Sequence, residues 1–165
     1  MYKKILVPLD GSKLAECVLP QVRALVEGCS VGKIVFMRVV EPIKAIVVAD
    51  GMMSAKEVER ITGSMVSEAE IYLKALVQGS KYDGAEVESQ VKMGHVAETL
   101  VDYATAHGVD LIVIATHGRS GVSRWVWGSV ADRILRSACV PVLMVRAPGC
   151  VPVLMVRAPG CVPGV

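Results

Sequence analysis

Several features that would assign this chain of 165 residues to a familiar class are missing. No apolar run reaches the roughly 18 residues that a helix needs to cross a bilayer, and the first apolar run is too short for a signal peptide. The formal net charge is +2, without a basic run or interleaved aromatic residues, which gives little support to nucleic-acid binding. We therefore expect a cytoplasmic protein that binds neither membranes nor nucleic acids.

Metal-binding and common nucleotide-binding patterns are missing too. The five cysteines form no C-x-x-C pair and have no histidine at ligand spacing, so we expect thiols in a reducing compartment, and neither a metal site nor a disulfide framework. Neither the P-loop pattern nor the dinucleotide glycine pattern occurs, so a bound nucleotide would need a different loop. What the chain does contain is 53% apolar residues with scattered charge, which predicts one globular domain.

Strand-like apolar runs alternate with helical periodicity along the chain. Strands are predicted at residues 4–8, 33–40, 86–91, 110–115 and 140–145, and helices at residues 13–26, 55–77, 96–106 and 129–137. Pro20 predicts either a kink in the first helix or a helix proper that begins near Cys17. Continuous apolar strands separated by helices predict an α/β fold, an open parallel five-stranded sheet with helices on both faces.

Two of the predicted strands end in polar segments. Asp10-Gly11-Ser12 follows the first strand, and a glycine-containing loop follows the fourth. Because a ligand of an open parallel sheet sits where the strand order reverses, strands one and four should be neighbours, which gives the order 3-2-1-4-5. Asp10 would then accept a hydrogen bond from a ribose or base, or help to hold a divalent cation on phosphates. An Asx-turn or a helix N-cap explains Asp10 equally well.

The loop after the fourth strand has the character of a phosphate site. Residues 115–118 read Ala-Thr-His-Gly, and nine residues later Gly128-Ser129 opens a helical pattern. Small residues that free backbone N–H groups, followed by a helix N-terminus, form an anion site. The alternative is that Ser129 caps the helix by accepting from the N–H group three residues on, which needs no ligand.

The other side chains of this loop leave their roles open. His117 would neutralise phosphate charge or exchange a proton, or simply hydrogen-bond a neighbouring loop. Arg119 and Arg124 would clamp terminal phosphates or lie in solvent, and two tryptophans, at 125 and 127, fit packing or an interface better than base stacking. The loop has no carboxylate poised to activate water, so we assign no catalytic residue.

These motifs together resemble the universal stress protein family. The resemblance rests on Val7-Pro8-Leu9-Asp10-Gly11-Ser12, Gly94, Asp110-Leu111-Ile112-Val113-Ile114, Thr116-His117-Gly118 with Gly128-Ser129, and Val140-Pro141-Val142-Leu143-Met144-Val145. It covers about the first nine-tenths of the chain. It implies an adenine-nucleotide-binding fold of the 3-2-1-4-5 type that is often dimeric and binds ATP in some members only.

The resemblance also implies a set of binding residues. Pro8 and Asp10 would border the nucleoside, with Leu9 between them, and Val39 would offer main-chain contacts to adenine. The loop residues implied near the phosphates are Ala115, His117, Gly118, Arg119, Gly128, Ser129 and Val130. Protein side chains alone form no metal site, although Asp10 would reach a magnesium ion carried by the nucleotide.

Ala115 departs from the family pattern, which has glycine there. The added methyl group would crowd the approach of the phosphates, and if the backbone at this position needs a positive φ, it costs on the order of 1 kcal/mol or more, or roughly tenfold in affinity. Ala115→Gly should then tighten ATP binding.

The sequence thus favours a stress-response regulatory protein that binds ATP with Mg²⁺ and hydrolyses it little or not at all. The alternative is a dimeric interaction protein of the same fold that binds no nucleotide. A third hypothesis, a nucleotidyl transferase, is the weakest, because the sequence lacks the signature motif of those enzymes.

Two segments fall outside this description. Residues 41–54 contain an apolar stretch between Pro42 and Asp50, which fits either a flap over the nucleotide or a dimer contact.

Residues 139–149 are repeated without change as residues 150–160, and a third copy starts at Cys161. We therefore predict a domain of residues 1–147 followed by a duplicated tail of residues 148–165. The first copy should fill the sheet, and the second should pair antiparallel with it as an edge strand or exchange with a partner chain in a homodimer.

Overall fold

The computed structural model describes residues 2–43, 53–116 and 128–146, together with the backbone of residues 152–155. The first half contains β1 (Lys4–Pro8), a 3-10 helix (Ala15–Val18), α1 (Leu19–Cys29), β2 (Lys33–Val40) and α2 (Ala55–Gly79). The second half contains β3 (Glu86–Met93), α3 (Val96–Ala106), β4 (Leu111–Ala115), α4 (Ser129–Ser137), β5 (Val142–Val145) and β6 (Pro152–Met155). Among the described helices, none is both long and apolar enough to span a membrane.

The sheet has the predicted order. β3, β2, β1, β4 and β5 lie side by side and are all parallel, so the order 3-2-1-4-5 is confirmed. β1 lies between β2 and β4, and the strand order therefore reverses at β1. The backbone of β6 runs antiparallel beside β5. The role of the duplicated segment stays a prediction.

Each face of the sheet has its own apolar core. Alternate residues of the strands point to opposite faces, which is why Ile5 and Leu6 belong to different clusters. On one face the cluster includes residues of the 3-10 helix, α1 and α2, and on the other it includes residues of α3 and α4. Burial on both sides explains the near-continuous apolar runs of β1 and β4. The helices on both faces were predicted correctly.

Local sequence signals set most helix boundaries. Ser54 and Glu57 form a reciprocal capping box that starts α2. Pro20 lies in the first turn of α1, where its missing N–H group has no helical partner to lose, and a 3-10 helix precedes it. The first helix therefore begins later than residue 13, which agrees with the start that we predicted near Cys17.

The cysteine prediction is correct only in part. Cys17 and Cys29 carry thiols rather than disulfides. Cys139, which lies between α4 and β5, is disulfide-bonded, so the expectation of thiols throughout the chain is wrong at this position.

Candidate functional site

A cavity of about 310 Å³ opens where the strand order reverses. Its walls come from the carboxyl ends of β1, β2 and β4 and from the first turns of α3 and α4. This is the position at which open parallel sheets bind their ligands, and the volume falls within the range of small-molecule sites. The cavity is therefore the candidate functional site of the described part of the chain.

The structure brings together most of the predicted binding residues. The eight that line this cavity are Pro8, Leu9, Asp10, Val39, Ala115, Gly128, Ser129 and Val130. The other three, His117, Gly118 and Arg119, lie outside the described residues, as do Arg124 and the two tryptophans of the loop. Residues 44–52 of the apolar segment also lie outside. Ligand contacts at the eight residues stay a prediction, but their common location is an observation.

The turn after β1 fixes the carboxylate of Asp10 at the rim of the cavity. The Ser12 N–H group donates to Oδ1 of Asp10 across 2.8 Å, and Gly11 between them has a φ of +86°, a value that glycine adopts without strain. Ser12 in turn accepts from the Ala15 N–H group across 3.1 Å, which starts the 3-10 helix. The Asx-turn that we considered for Asp10 is therefore present, and Asp10 still lines the cavity.

A backbone hydrogen bond joins the end of β4 to the start of α4. The Gly128 N–H group donates to the Thr116 carbonyl across 2.8 Å, and the Thr116 N–H group donates to Val145 of the neighbouring strand across 2.9 Å. The two residues that flank the segment 117–127 are therefore hydrogen-bonded to each other. This bond holds the first turn of α4 against the end of β4.

The first turn of α4 begins at a residue without a capping side chain. Gly128 is the N-cap residue, Ser129 is the first helical residue, and among the described residues no side chain makes a cap hydrogen bond there. The capping role that we considered for Ser129 is therefore wrong. The first intrahelical bond runs from the Asp132 N–H group to the Gly128 carbonyl, so the amides of the three preceding residues make no such bond. Those amides and the positive end of the helix dipole meet at the cavity wall.

Ala115 adopts an ordinary strand conformation. It is the last residue of β4, pairs with Val145 and has no positive φ, which among the described non-glycine residues occurs at Ser30 alone. Its methyl group is buried in the same core cluster as Ala15, and both residues line the cavity. The condition for backbone strain at Ala115 is therefore not met, and the effect of its methyl group is limited to the space that it fills.

The start of α3 forms another part of the cavity wall. The Gly94 N–H group donates to the Val40 carbonyl across 3.1 Å, which ties the loop before α3 to the end of β2. Gly94 has a φ of +147°, and a Cβ atom there would lie 2.5 Å from the side-chain oxygen of Thr99. The tight turn directs Val96 and Leu100, one helical turn apart, into the cavity.

Sequence reasoning missed much of the apolar wall. The lining residues that it did not single out for the site are Ala15, Met37, Val96, Leu100, Ile114, Thr116 and Ala131. A signal was available for two of them, because positions 96 and 100 share one face of a helix that starts just after a glycine turn. Met37 and Ile114 belong to apolar strand runs that look alike whether they line a cavity or fill a core, and Ala15, Thr116 and Ala131 are small residues that carry no signal of their own.

Comparisons with known proteins agree on one family. The sequence profile of the Universal stress protein family matches residues 1–146. A universal stress protein of Methanocaldococcus jannaschii is 29% identical over 153 residues, which cover 90% of this chain and 84% of that protein. A second one from the same organism is 28% identical over 156 residues, with coverages of 88% and 96%.

Solved structures show the same architecture. The structure of that second protein has a TM-score of 0.76 at 24% identity and covers 90% of this chain and 99% of its own. A universal stress protein in complex with cAMP has a TM-score of 0.57 at 20% identity, with coverages of 89% and 98%. An Arabidopsis thaliana family protein with AMP bound has a TM-score of 0.60 at 16% identity, with coverages of 89% and 93%. At these identities the likeness concerns the fold.

Proposed function

Because the chain belongs to the universal stress protein family, we propose that it is a regulatory protein that binds ATP in the cavity between β1 and β4. The observation that carries the proposal is that eight residues predicted from the sequence line this one cavity, beside an uncapped helix start. Two proteins of similar fold hold AMP and cAMP, which supports an adenine nucleotide as the ligand class.

The geometry suggests how such a ligand would lie. The nucleoside would fit between the end of β1 and Val39 of β2, against the apolar wall that includes Met37 and Leu100. The phosphates would lie at the first turn of α4, where the amides of Ser129 and Val130 precede the helical hydrogen bonds. We propose that His117, Gly118 and Arg119 complete the phosphate site from the loop.

Mg²⁺ would enter together with the phosphates. Asp10 is the sole charged residue among the described residues that line the cavity, and its Oδ1 atom already accepts from Ser12. The described part of the chain has no group of three or more acidic, histidine or cysteine residues that would hold a metal ion. We therefore propose that Asp10 is the protein ligand of Mg²⁺ and that phosphate oxygens and waters supply the other ligands.

We further propose that occupancy of the site changes association and that turnover is slow or absent. We assign no catalytic residue. In this proposal residues 1–147 form the binding domain, the tail of residues 148–165 follows it, and the chain forms a cytoplasmic homodimer through its last strand. The alternative of an interaction protein without nucleotide is in line with Ala115; the ordinary backbone at that residue removes the strain argument for it and leaves the space that the methyl group fills.

A thermal shift experiment tests the proposal, since a ligand that binds only the folded state raises the melting temperature. At an ATP concentration about a hundred times Kd the stabilisation is about 2.7 kcal/mol, which for a chain of this size is a shift of about 5–10 °C. Melting should be followed with Mg-ATP, with ATP and EDTA, with Mg²⁺ alone and with Mg-GTP.

The controls separate the parts of the proposal. A shift with ATP that is smaller in EDTA and small with Mg-GTP supports adenine and a bridging cation. Phosphate release measured on the same samples should stay close to the background rate. No shift at millimolar Mg-ATP would overturn the nucleotide proposal.

A further inference from the structure

A polar cluster outside the cavity joins α2 to the segment that carries Asp10. At its centre is Tyr72 of α2, whose hydroxyl group donates to Oε1 of Glu16 across 3.3 Å. The guanidinium carbon of Arg38 in β2 lies 5.9 Å from the centroid of the same ring. An Arg38 nitrogen lies 3.3 Å from Oε1 of Glu68, also in α2. Tyr72 therefore contacts β2 and the 3-10 helix at the same time.

Arg38 anchors this cluster in the protein. The residue is only 8% exposed, although arginine normally remains at the surface unless its charge is compensated. Glu68 supplies a carboxylate, and the ring of Tyr72 supplies an aromatic face, which a planar guanidinium favours. The ring of Tyr72 thus has a defined position between α2 and β2.

Glu16 connects Tyr72 to the rim of the cavity. The Glu16 N–H group donates to the Ser12 carbonyl across 3.3 Å, and the Ser12 side chain accepts from Ala15. Ser12 also donates to the carboxylate of Asp10, and both Asp10 and Ala15 line the cavity. Three hydrogen-bonded steps therefore separate the Tyr72 hydroxyl group from a residue of the candidate site.

The electrostatics keep the Tyr72 hydroxyl group protonated. Burial raises the pKa of Tyr72 well above its ordinary value of 10.0, and the carboxylates of Glu16 and Asp10 act in the same direction, against a smaller opposite effect of Arg38. The hydroxyl group is therefore a neutral donor to Glu16 at neutral pH. The effect of Asp10 on this group also indicates that the cluster and the site lie close enough to interact.

We propose that Tyr72 is a positioning residue for the nucleotide site: by holding Glu16, its hydroxyl group fixes the turn of residues 10–15 that presents Asp10 to the ligand. Tyr72 itself lies outside the cavity lining. The effect of Tyr72 on the affinity for ATP rests on the proposed function, which is ATP binding in the cavity. The ordering of the turn is a separate consequence that needs no ligand.

The test compares two tyrosines that belong to the same apolar cluster. Tyr72→Phe removes the hydroxyl group and keeps the ring beside Arg38. Tyr82→Phe is the matched control, because Tyr82 is a buried tyrosine that packs against Phe36 and does not line the cavity. We expect amide NMR signals of residues 10–15 to shift and broaden in Tyr72→Phe and to stay in place in Tyr82→Phe.

Affinity is measured by calorimetry with Mg-ATP on the same variants. Loss of one net hydrogen bond that orders the turn should weaken binding about fivefold in Tyr72→Phe and less than twofold in Tyr82→Phe. In an Asp10→Ala background, Tyr72→Phe should have less than a twofold further effect, because the group through which it acts is gone. Glu16→Gln, which keeps an acceptor for the hydroxyl group, should retain most of the affinity.

The outcomes distinguish the two proposals. Wild-type protein that binds no nucleotide, together with the expected NMR changes, would overturn the proposed function and leave the positioning of the turn supported. Normal ATP binding with unchanged amide signals and affinity in Tyr72→Phe would overturn the positioning role alone. An equal loss of affinity with and without Asp10 would also overturn it, because Tyr72 would then act by another route.

Discussion

Replacing Gly94 with alanine should destabilise the fold through a single turn. The φ of +147° at this residue is strained for any residue with a Cβ atom, at about 1–3 kcal/mol. The added Cβ would also lie 2.5 Å from Oγ1 of Thr99, and moving that side chain off its rotamer adds about 0.5–1.5 kcal/mol. The expected total of about 2–4 kcal/mol corresponds to a fall in melting temperature of roughly 5–15 °C.

Urea unfolding of Gly94→Ala, Thr99→Ala and the double variant separates the two contributions. Thr99→Ala removes the oxygen that the new Cβ meets. Gly94→Ala should therefore cost less stability in the Thr99→Ala background, by about the 0.5–1.5 kcal/mol that moving the Thr99 side chain adds. Gly63→Ala in α2 is the control, because nothing lies within 4 Å of its Cβ position and alanine favours a helix by about 0.5–1 kcal/mol. Gly94→Ala with wild-type stability would refute the reasoning, since both contributions come from the observed turn.

Four further predictions concern the site, the sheet edge and the tail. Ala115→Gly should change ATP affinity less than about twofold, because the backbone at this residue is unstrained; a tenfold gain in calorimetry would show that the methyl group obstructs the ligand. Gly128→Val should abolish ATP binding with little loss of fold, whereas Gly28→Val in α1 should leave binding intact; equal affinities would place the ligand elsewhere. The bond between Lys33 and Glu88 raises the pKa of the lysine from 10.5 and lowers the pKa of the glutamate from 4.5. The pair therefore stabilises the folded state most when the pH lies between these two values. The difference in urea midpoint between wild type and Lys33→Met should therefore shrink as the pH falls through the lowered pKa of Glu88 or rises through the raised pKa of Lys33, and a constant difference would contradict this. Deleting residues 150–160 should leave folding and ATP binding intact and change only association in light scattering, and a deletion that unfolds the domain would show that the second copy supplies a core strand.

The sequence determines elements whose signals are local. The apolar run of β2 (Lys33–Val40) and the periodic pattern of α3 (Val96–Ala106) predict their boundaries to the residue, because each is buried on the face or faces that its pattern marks. The order of the strands can also be predicted from the sequence, because the polar residues that follow β1 and β4 can belong to one ligand site only if these two strands are neighbours.

Properties that depend on tertiary placement are less accessible. Whether Ala115 needs a positive φ cannot be read from its identity, and the strain expected there is absent. The alternative role of Ser129 as a helix cap fails because Gly128 takes the N-cap position, one residue earlier than the pattern suggests. Met37 and Ile114 line the cavity although nothing distinguishes them in sequence from core residues, since only the arrangement of β2 and β4 in the sheet gives them that position.

The hydrogen bond between Gly128 and Thr116 has a consequence for how this protein can diversify. The bond of 2.8 Å joins backbone groups only, so it fixes the start of α4 to the end of β4 whatever side chains the chain carries at residues 117–127. Doubling the length of a flexible loop between fixed ends costs only about 0.6 kcal/mol. Changes of length between Thr116 and Gly128 are therefore compatible with this bonded pair at a small cost in chain entropy.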